Sequence, residues 1–489
     1  MSAKETLKNL EPNVIWKHFA QLCEIPRPSN YEQKVGDFVE AFGKNLGLKT
    51  IREKVGNVII KKPATKGMEN LKTVLLQGHL DMVPQKEKDS AHDFTKDPID
   101  AYVDGEWVKA HGTTLGADNG IGIATILSIL ESKDIPHGPI EALLTVNEEN
   151  TQGGAQNLSK DLLHADILLN LDSEMDDEIC IGCAGGVHTD ITFSLIFEET
   201  PKESASLKLI VSGLYGGHSG CDIQIGRANA ARILARILEE THAKLGVRIA
   251  ELHVGTPVHN AIPRDAYALI TLPEKNVTAF QSRLKEIEKE LQVEYKDIEE
   301  NIKISSETCE KISSVIEHEM QHKIIAAIDG CINGVQKMTH GMPNLPEVST
   351  NLSYIKTEKD KMLILSMQRS PIISARDNAA QQVTAVFKMA GASIEHTHPY
   401  PGWLPNLNSP ILKIVTKIYE EVCHEKPKIF ATHGGLETGF ISEKYPAMDM
   451  ISFGPTIIDA HSPKEKVKIE SVQKIWNLLL AVLKKIPKK

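Results

Sequence analysis

Aromatic residues make up only 5% of the 489-residue chain, and no stretch approaches the ~18 uninterrupted apolar residues of a membrane helix. Membrane insertion is therefore not expected. Residues 1–12 carry mixed charge and no apolar signal core, so export is not expected either. A basic excess is also missing. The formal charge is −10, and no Lys/Arg stripe with interleaved aromatics supplies the footprint that nucleic-acid binding requires. Cysteines number seven, odd and scattered, which excludes a disulfide framework and fits a reducing, cytoplasmic compartment. Cys180 and Cys183 form one C-x-x-C, but no second pair answers it to make a zinc ribbon.

What is present suits a globular enzyme with an acidic surface. A 489-residue chain exceeds one ordinary core, so two or more domains are expected; 41% hydrophobic and 25% charged residues are enough for folding without a partner.

The apolar run at 74–76 reads as a buried strand ending in Gly78-His79-Leu80-Asp81, with an imidazole and a carboxylate two residues apart on one face. Open α/β sheets place their chemistry at such strand ends. This pattern makes His79 a metal ligand and Asp81 the acceptor that orients its ring. Further on, Gly116-Ala117-Asp118-Asn119-Gly120 precedes a helix over 121–130, with glycines that let the backbone approach something closely. Strands over 140–146 and 166–171 end in Asn147-Glu148-Glu149 and Asp172-Ser173-Glu174, and a late loop offers Asp459-Ala460-His461-Ser462. Adjacent carboxylates repel, and so many acids at one sheet edge call for a cation. Two imidazoles and three carboxylates can bind two zinc-like ions if one carboxylate bridges them. With Asp81 orienting, one acid is left over as a base. A shared water of lowered pKa beside that base is the requirement for amide hydrolysis.

From about residue 185 the pattern changes to strands and helices reading β-α-β-β-α-β, followed by a similar series that ends near 398, with a helix over 315–328 inside it. A duplicated α+β unit inserted into the first domain is expected, with α/β alternation resuming near 400.

These motifs, in order, resemble the metal-site motifs of the dinuclear zinc aminoacylase and carboxypeptidase clan. With Tyr215-Gly216-Gly217-His218-Ser219-Gly220 and His433-Gly434-Gly435-Leu436-Glu437, the wording is most similar to the aminoacyl-histidine (cytosol non-specific) dipeptidases. The resemblance spans nearly the whole chain. It implies a mixed-sheet α/β catalytic domain over 1–186 and 399–489 and a lid over 187–398. It further implies that Asp118 bridges two divalent ions, zinc first with cobalt or manganese as alternatives. His79 and Asp172 complete one ion, Glu149 and His461 the other. Glu148 becomes the general base, and His218, Asn260 and Arg369 hold the substrate. The implied substrate is a small unblocked dipeptide, Xaa-His included, and a homodimer is compatible with it. Alternatives are an aminoacylase or tripeptidase of the same clan, an inactive binding module, and a single-zinc protease using His318 and His322 of His318-Glu319-Met320-Gln321-His322. The last lacks a metzincin continuation, because Ile325 and Ile328 stand where a glycine and a third histidine belong.

Overall fold

The computed structural model describes residues 2–489, which group into two compact units. One takes the chain up to Gly182, Trp403–Ala431 and Leu436–Lys489; the other takes Cys183–Gly402 and Thr432–Gly435. Thr432–Gly435, inside the 399–489 segment expected for the catalytic domain, thus groups with the second unit.

The first unit is built on an eight-stranded sheet in the spatial order Lys49–Arg52, Val58–Lys62, Ile140–Thr145, Val74–His79, Ile167–Asn170, Asp449–Ser452, Glu178–Cys183, Lys428–Thr432. The four central strands run parallel, and the strands flanking them are antiparallel. The three acid-bearing strands are fully buried, as continuous apolar runs in a parallel sheet covered on both faces should be. Parallel pairing decides where the chemistry goes. His79 pairs with Thr145 and Gln77 with Asn170, so the residues just beyond each strand emerge at one carboxyl edge. Among the described residues, no helix is long and apolar enough to cross a membrane.

In the second unit a nine-stranded antiparallel sheet carries the helices Ala230–Leu245, Val277–Glu294, His318–Gly330 and Ile373–Met389. Its two halves repeat one arrangement. Ser204–Ser212, Arg248–Val254, Ala266–Pro273 and Lys303–Thr308, taken in chain order, lie in the spatial order fourth, first, third, second. The other half has the same order, read from the opposite edge, but its first strand is Gly185–Ser194, which precedes the whole first half in the chain. The helix expected over 315–328 begins later: Ser314–Ile316 is a strand paired with Phe197–Glu199. The Glu317 carboxylate then caps the helix by accepting the Glu319 and Met320 amides at 3.1 and 2.8 Å.

Candidate metal centre

His79 ends its strand, Glu148 and Glu149 open a short helix after theirs, and Asp172 follows Asn170 by two residues, level with His79 in the parallel register. His461 comes from the loop after the short strand Ile457–Ile458. All of them, with Asp118, belong to the first unit.

The Asp118 carboxylate lies between the two imidazoles. Its Oδ1 is 3.0 Å from His79 Nε2 and its Oδ2 is 3.1 Å from His461 Nε2. A second carboxylate converges on the same nitrogen of each ring, Asp172 at 3.2 Å from His79 Nε2 and Glu149 at 3.0 Å from His461 Nε2. Two donor groups result, His79–Asp118–Asp172 and Asp118–Glu149–His461, sharing Asp118. Glu148 groups with His79 and Glu149 but stands outside both sets.

Charge in the pocket is unbalanced. Burial, with Asp172, Glu437 and Glu149 as like-charged neighbours, pushes Glu148 well above the carboxylate range although His79 opposes it. Burial likewise raises Asp172 to about 6, Glu437 to about 8 and Glu174 to about 7, with other carboxylates adding to each. His461 is raised to about 11 by its hydrogen bonds to Asp118 and Glu149. Burial opposes protonation of His79, yet Asp172, Asp118 and Asp81 hold it well above the usual imidazole value. Carboxylates crowded this way require positive charge among them. Glu149 Oε1 is buried without a hydrogen-bond partner, and buried Asp172 Oδ1 has only its 3.2 Å approach to His79 Nε2. Imidazole nitrogens, an orphaned carboxylate oxygen and a two-sided Asp118 fit a pair of divalent cations.

Asp81 does more than the sequence suggested. Its carboxylate is 3.5 Å from His79 Nδ1, while its own backbone carbonyl lies nearer that nitrogen at 3.2 Å. The closer carboxylate bonds come from the Glu148 amide at 3.0 Å, the Glu149 amide at 3.2 Å and the Ser29 hydroxyl at 2.8 Å. Asp81 therefore holds the backbone of the two glutamates as well as facing the ring.

Two supporting groups, Glu465 and Arg27, have no counterpart in the sequence reading, and a third, Glu437, is read there only as the end of the 433–437 motif. Glu465 is buried and accepts the Leu115, Gly116, Ala117 and Asp118 amides at 2.7, 2.9, 2.8 and 3.2 Å, bracing the turn that presents Asp118. Buried Arg27 donates to the Leu80, Asp81 and Gly116 carbonyls, tying that turn to the end of the His79 strand. This explains the glycines: a Cβ at Gly116 or Gly120 would lie 2.6 Å from the Arg27 guanidinium, and Gly116 also has φ +70°. Glu437 accepts from Gln77 at 2.7 Å and from Thr145 at 2.6 Å below the same edge. The signal for Glu465 was only its place four residues after His461, because its partners lie about 350 residues earlier. Glu465→Gln should lower stability by ~1–3 kcal/mol and weaken metal retention, since an amide offers one acceptor oxygen to four donors. Denaturant unfolding and metal content under chelator measure this; parental values for both would remove the bracing role.

The expected substrate residues lie in the second unit. Buried Arg369 donates through Nε to the Ser219 hydroxyl at 3.2 Å and through Nη1 to the Tyr400 hydroxyl at 2.9 Å and the His433 carbonyl at 3.4 Å. His433 in turn meets the Ser349 hydroxyl at 2.7 Å. The His218 Nδ1 accepts the Gly220 amide at 3.2 Å, and burial, then Arg369, lowers its pKa. Asn260 is exposed, and its backbone carbonyl accepts the Ser219 amide at 2.7 Å. Tyr400, Ser219 and Ser349 were not anticipated. His318 joins no metal-binding group among the described residues, so the H-E-x-x-H pair does not assemble a centre.

The family profile described as "Peptidase family M20/M25/M40" matches residues 75–485. The chain belongs to this family. It is 41% identical over 483 residues to the cytosol non-specific dipeptidase of Escherichia coli K12, covering 99% of both chains. The crystal structure of aminoacylhistidine dipeptidase from Vibrio alginolyticus superposes with a TM-score of 0.93 at 44% identity, covering 99% of this chain and 98% of that one. The aminopeptidase PepT of Bacillus cereus shares the fold, with a TM-score of 0.59 at 16% identity over 98% and 99% of the two chains. The M20/M25/M40 match includes every residue of the paired centre and leaves Arg27 ahead of it.

Proposed function

We propose that the chain is a cytoplasmic dinuclear-metal dipeptidase that hydrolyses the peptide bond of unblocked dipeptides, Xaa-His among them. The single observation that carries this reading is Asp118, with one oxygen toward the Nε2 of each imidazole and a further carboxylate at each of those nitrogens. His79, Asp118 and Asp172 would hold one cation and Asp118, Glu149 and His461 the other. Two histidine nitrogens among carboxylates suit zinc first, then cobalt or manganese. When bound, such a pair lowers the pKa of water and polarises a scissile carbonyl.

The remaining work falls to the chain's own groups. Glu148 stands outside both ligand sets and is free to take a proton from the attacking water and return it to the leaving amine. Asp81 holds the Glu148 and Glu149 amides, so base and ligand keep their spacing. For the substrate's carboxylate the reading turns to Arg369, whose Nη2 has no hydrogen bond among the described residues. A planar guanidinium matches a carboxylate by paired bonds. His218 and Asn260 are the accompanying contacts.

The test is a panel of dipeptides, tripeptides and N-acyl amino acids before and after chelation. Dipeptides should be cleaved fastest, chelation should abolish turnover, and zinc should restore it. Preference for tripeptides or N-acyl amino acids would replace this reading with the tripeptidase or aminoacylase alternative. For Arg369, loss of a charge-assisted contact costs ~1.5–3 kcal/mol. Arg369→Ala and amidation of the dipeptide's carboxyl terminus should each lower kcat/KM accordingly, and the two losses should not add. Full additivity in that cycle would move the carboxylate elsewhere.

A further inference from the structure

The helix that carries His322 has a use other than the H-E-x-x-H pairing. It packs against the helix Ala230–Leu245 within the second unit. Arg232 of that helix donates to the Ile328 and Cys331 carbonyls at 2.7 and 3.2 Å, fastening the carboxyl end of His318–Gly330. Toward the other end, Glu239 and His242 are three residues apart and so share a face. There they meet His322, with ring centroids of the two histidines 5.2 Å apart. Ligand atoms of Glu239, His242 and His322 all lie within 4.8 Å of one another.

Glu239 Oε2 is buried and has no hydrogen-bond partner. His242 Nε2 stands 3.6 Å from it, too far for a hydrogen bond. That separation has another meaning: tetrahedral ligands ~2.0–2.2 Å from a zinc-type ion lie about 3.3–3.6 Å from each other. The His242 side chain is only 8% exposed, so its ring is held in place against Glu239. His322 is exposed, so the group is open to solvent on one side, where water can complete the coordination.

We infer that Glu239, His242 and His322 form a further site for a zinc-type divalent cation, separate from the paired centre, which pins the two helices together opposite the Arg232 fastening. Its effect is to join the two helices; Glu319 and His318 are exposed and stand outside the ligand set. Binding to the folded chain alone stabilises it by mass action, so unfolding should respond to free zinc.

The experiment uses the full-length protein with its paired centre loaded, zinc as the probe, and a competing chromophoric chelator as the reporter. The parent should take up one more equivalent of zinc than His322→Ala. Excess zinc should raise the Tm of the parent and not that of the variant. His322 is exposed, so the variant should fold; Glu239→Gln gives a second and milder removal of a ligand. His318→Ala should behave as the parent, and dipeptide turnover should be unchanged in His322→Ala. Equal zinc uptake by the parent and His322→Ala, or loss of the extra equivalent in His318→Ala, would overturn the assignment.

Discussion

Glu148→Gln is expected to retain two metal ions per chain and lose dipeptide hydrolysis by ~10²–10⁴-fold, the range that a positioned base supplies. The amide keeps the size of the side chain and its contact with Gln152, whose Nε2 donates to Glu148 Oε1 at 3.3 Å. It cannot take a proton from water. Because Glu148 lies outside the two sets that share Asp118, the donors for both cations remain intact. Metal content and steady-state kinetics on the same preparation separate the possibilities. A variant that emerges without metal would make Glu148 a ligand, and one that hydrolyses at the parental rate would remove it from the reaction.

Asp118→Ala should fail in a different way. Its two oxygens are the one feature common to both donor groups, so the substitution leaves each prospective ion with a single imidazole and a single carboxylate. At least one cation should be lost to mild chelation. Weakening a group that merely orients a ligand costs ~10–100-fold, and turnover should fall further than that here. Asp118→Asn is the informative companion, since it retains one carbonyl oxygen and should keep one ion better than two. The measurement is metal stoichiometry across a chelator series; two ions held at parental affinity by the alanine variant would take Asp118 out of the bridging position. The fold should survive in both variants, because the Glu465 bonds are to backbone amides of this turn rather than to the Asp118 side chain.

The paired centre was legible because parallel strands leave a simple trace in one dimension. Each buried strand is a short apolar run, and whatever follows it must emerge at the carboxyl edge. His79, Glu148, Glu149 and Asp172 could therefore be gathered before any contact was known. Asp118, at a non-helical kink near the start of the helix Ala117–Glu131, and His461, on a turn, lie off the strands and are gathered by motif. The second unit was less legible. Its alternation of strands and helices announced a repeat, but its first strand in the second half, Gly185–Ser194, lies ahead of the whole first half. Local pattern cannot tell which partner a strand will find. The start of the helix at His318 was misread for a related reason: Val315 and Ile316 are buried in a strand pair, and short apolar runs fit either period.

The sequence by itself determined the class of this protein, the edge at which its chemistry stands and the residue types that carry it, since these depend on local periodicity and on acids placed at strand ends. Tertiary structure alone decided what holds them. Glu465 reaches four amides about 350 residues away, Arg27 fits only where Gly116 and Gly120 leave room, and Glu239 and His242 meet His322 only because two helices pack face to face. Such groups act through backbone amides and carbonyls or through distant side chains. A carboxylate or guanidinium in a polar stretch looks the same in sequence whether it ends in solvent or buried against the main chain, and only folding distinguishes the two.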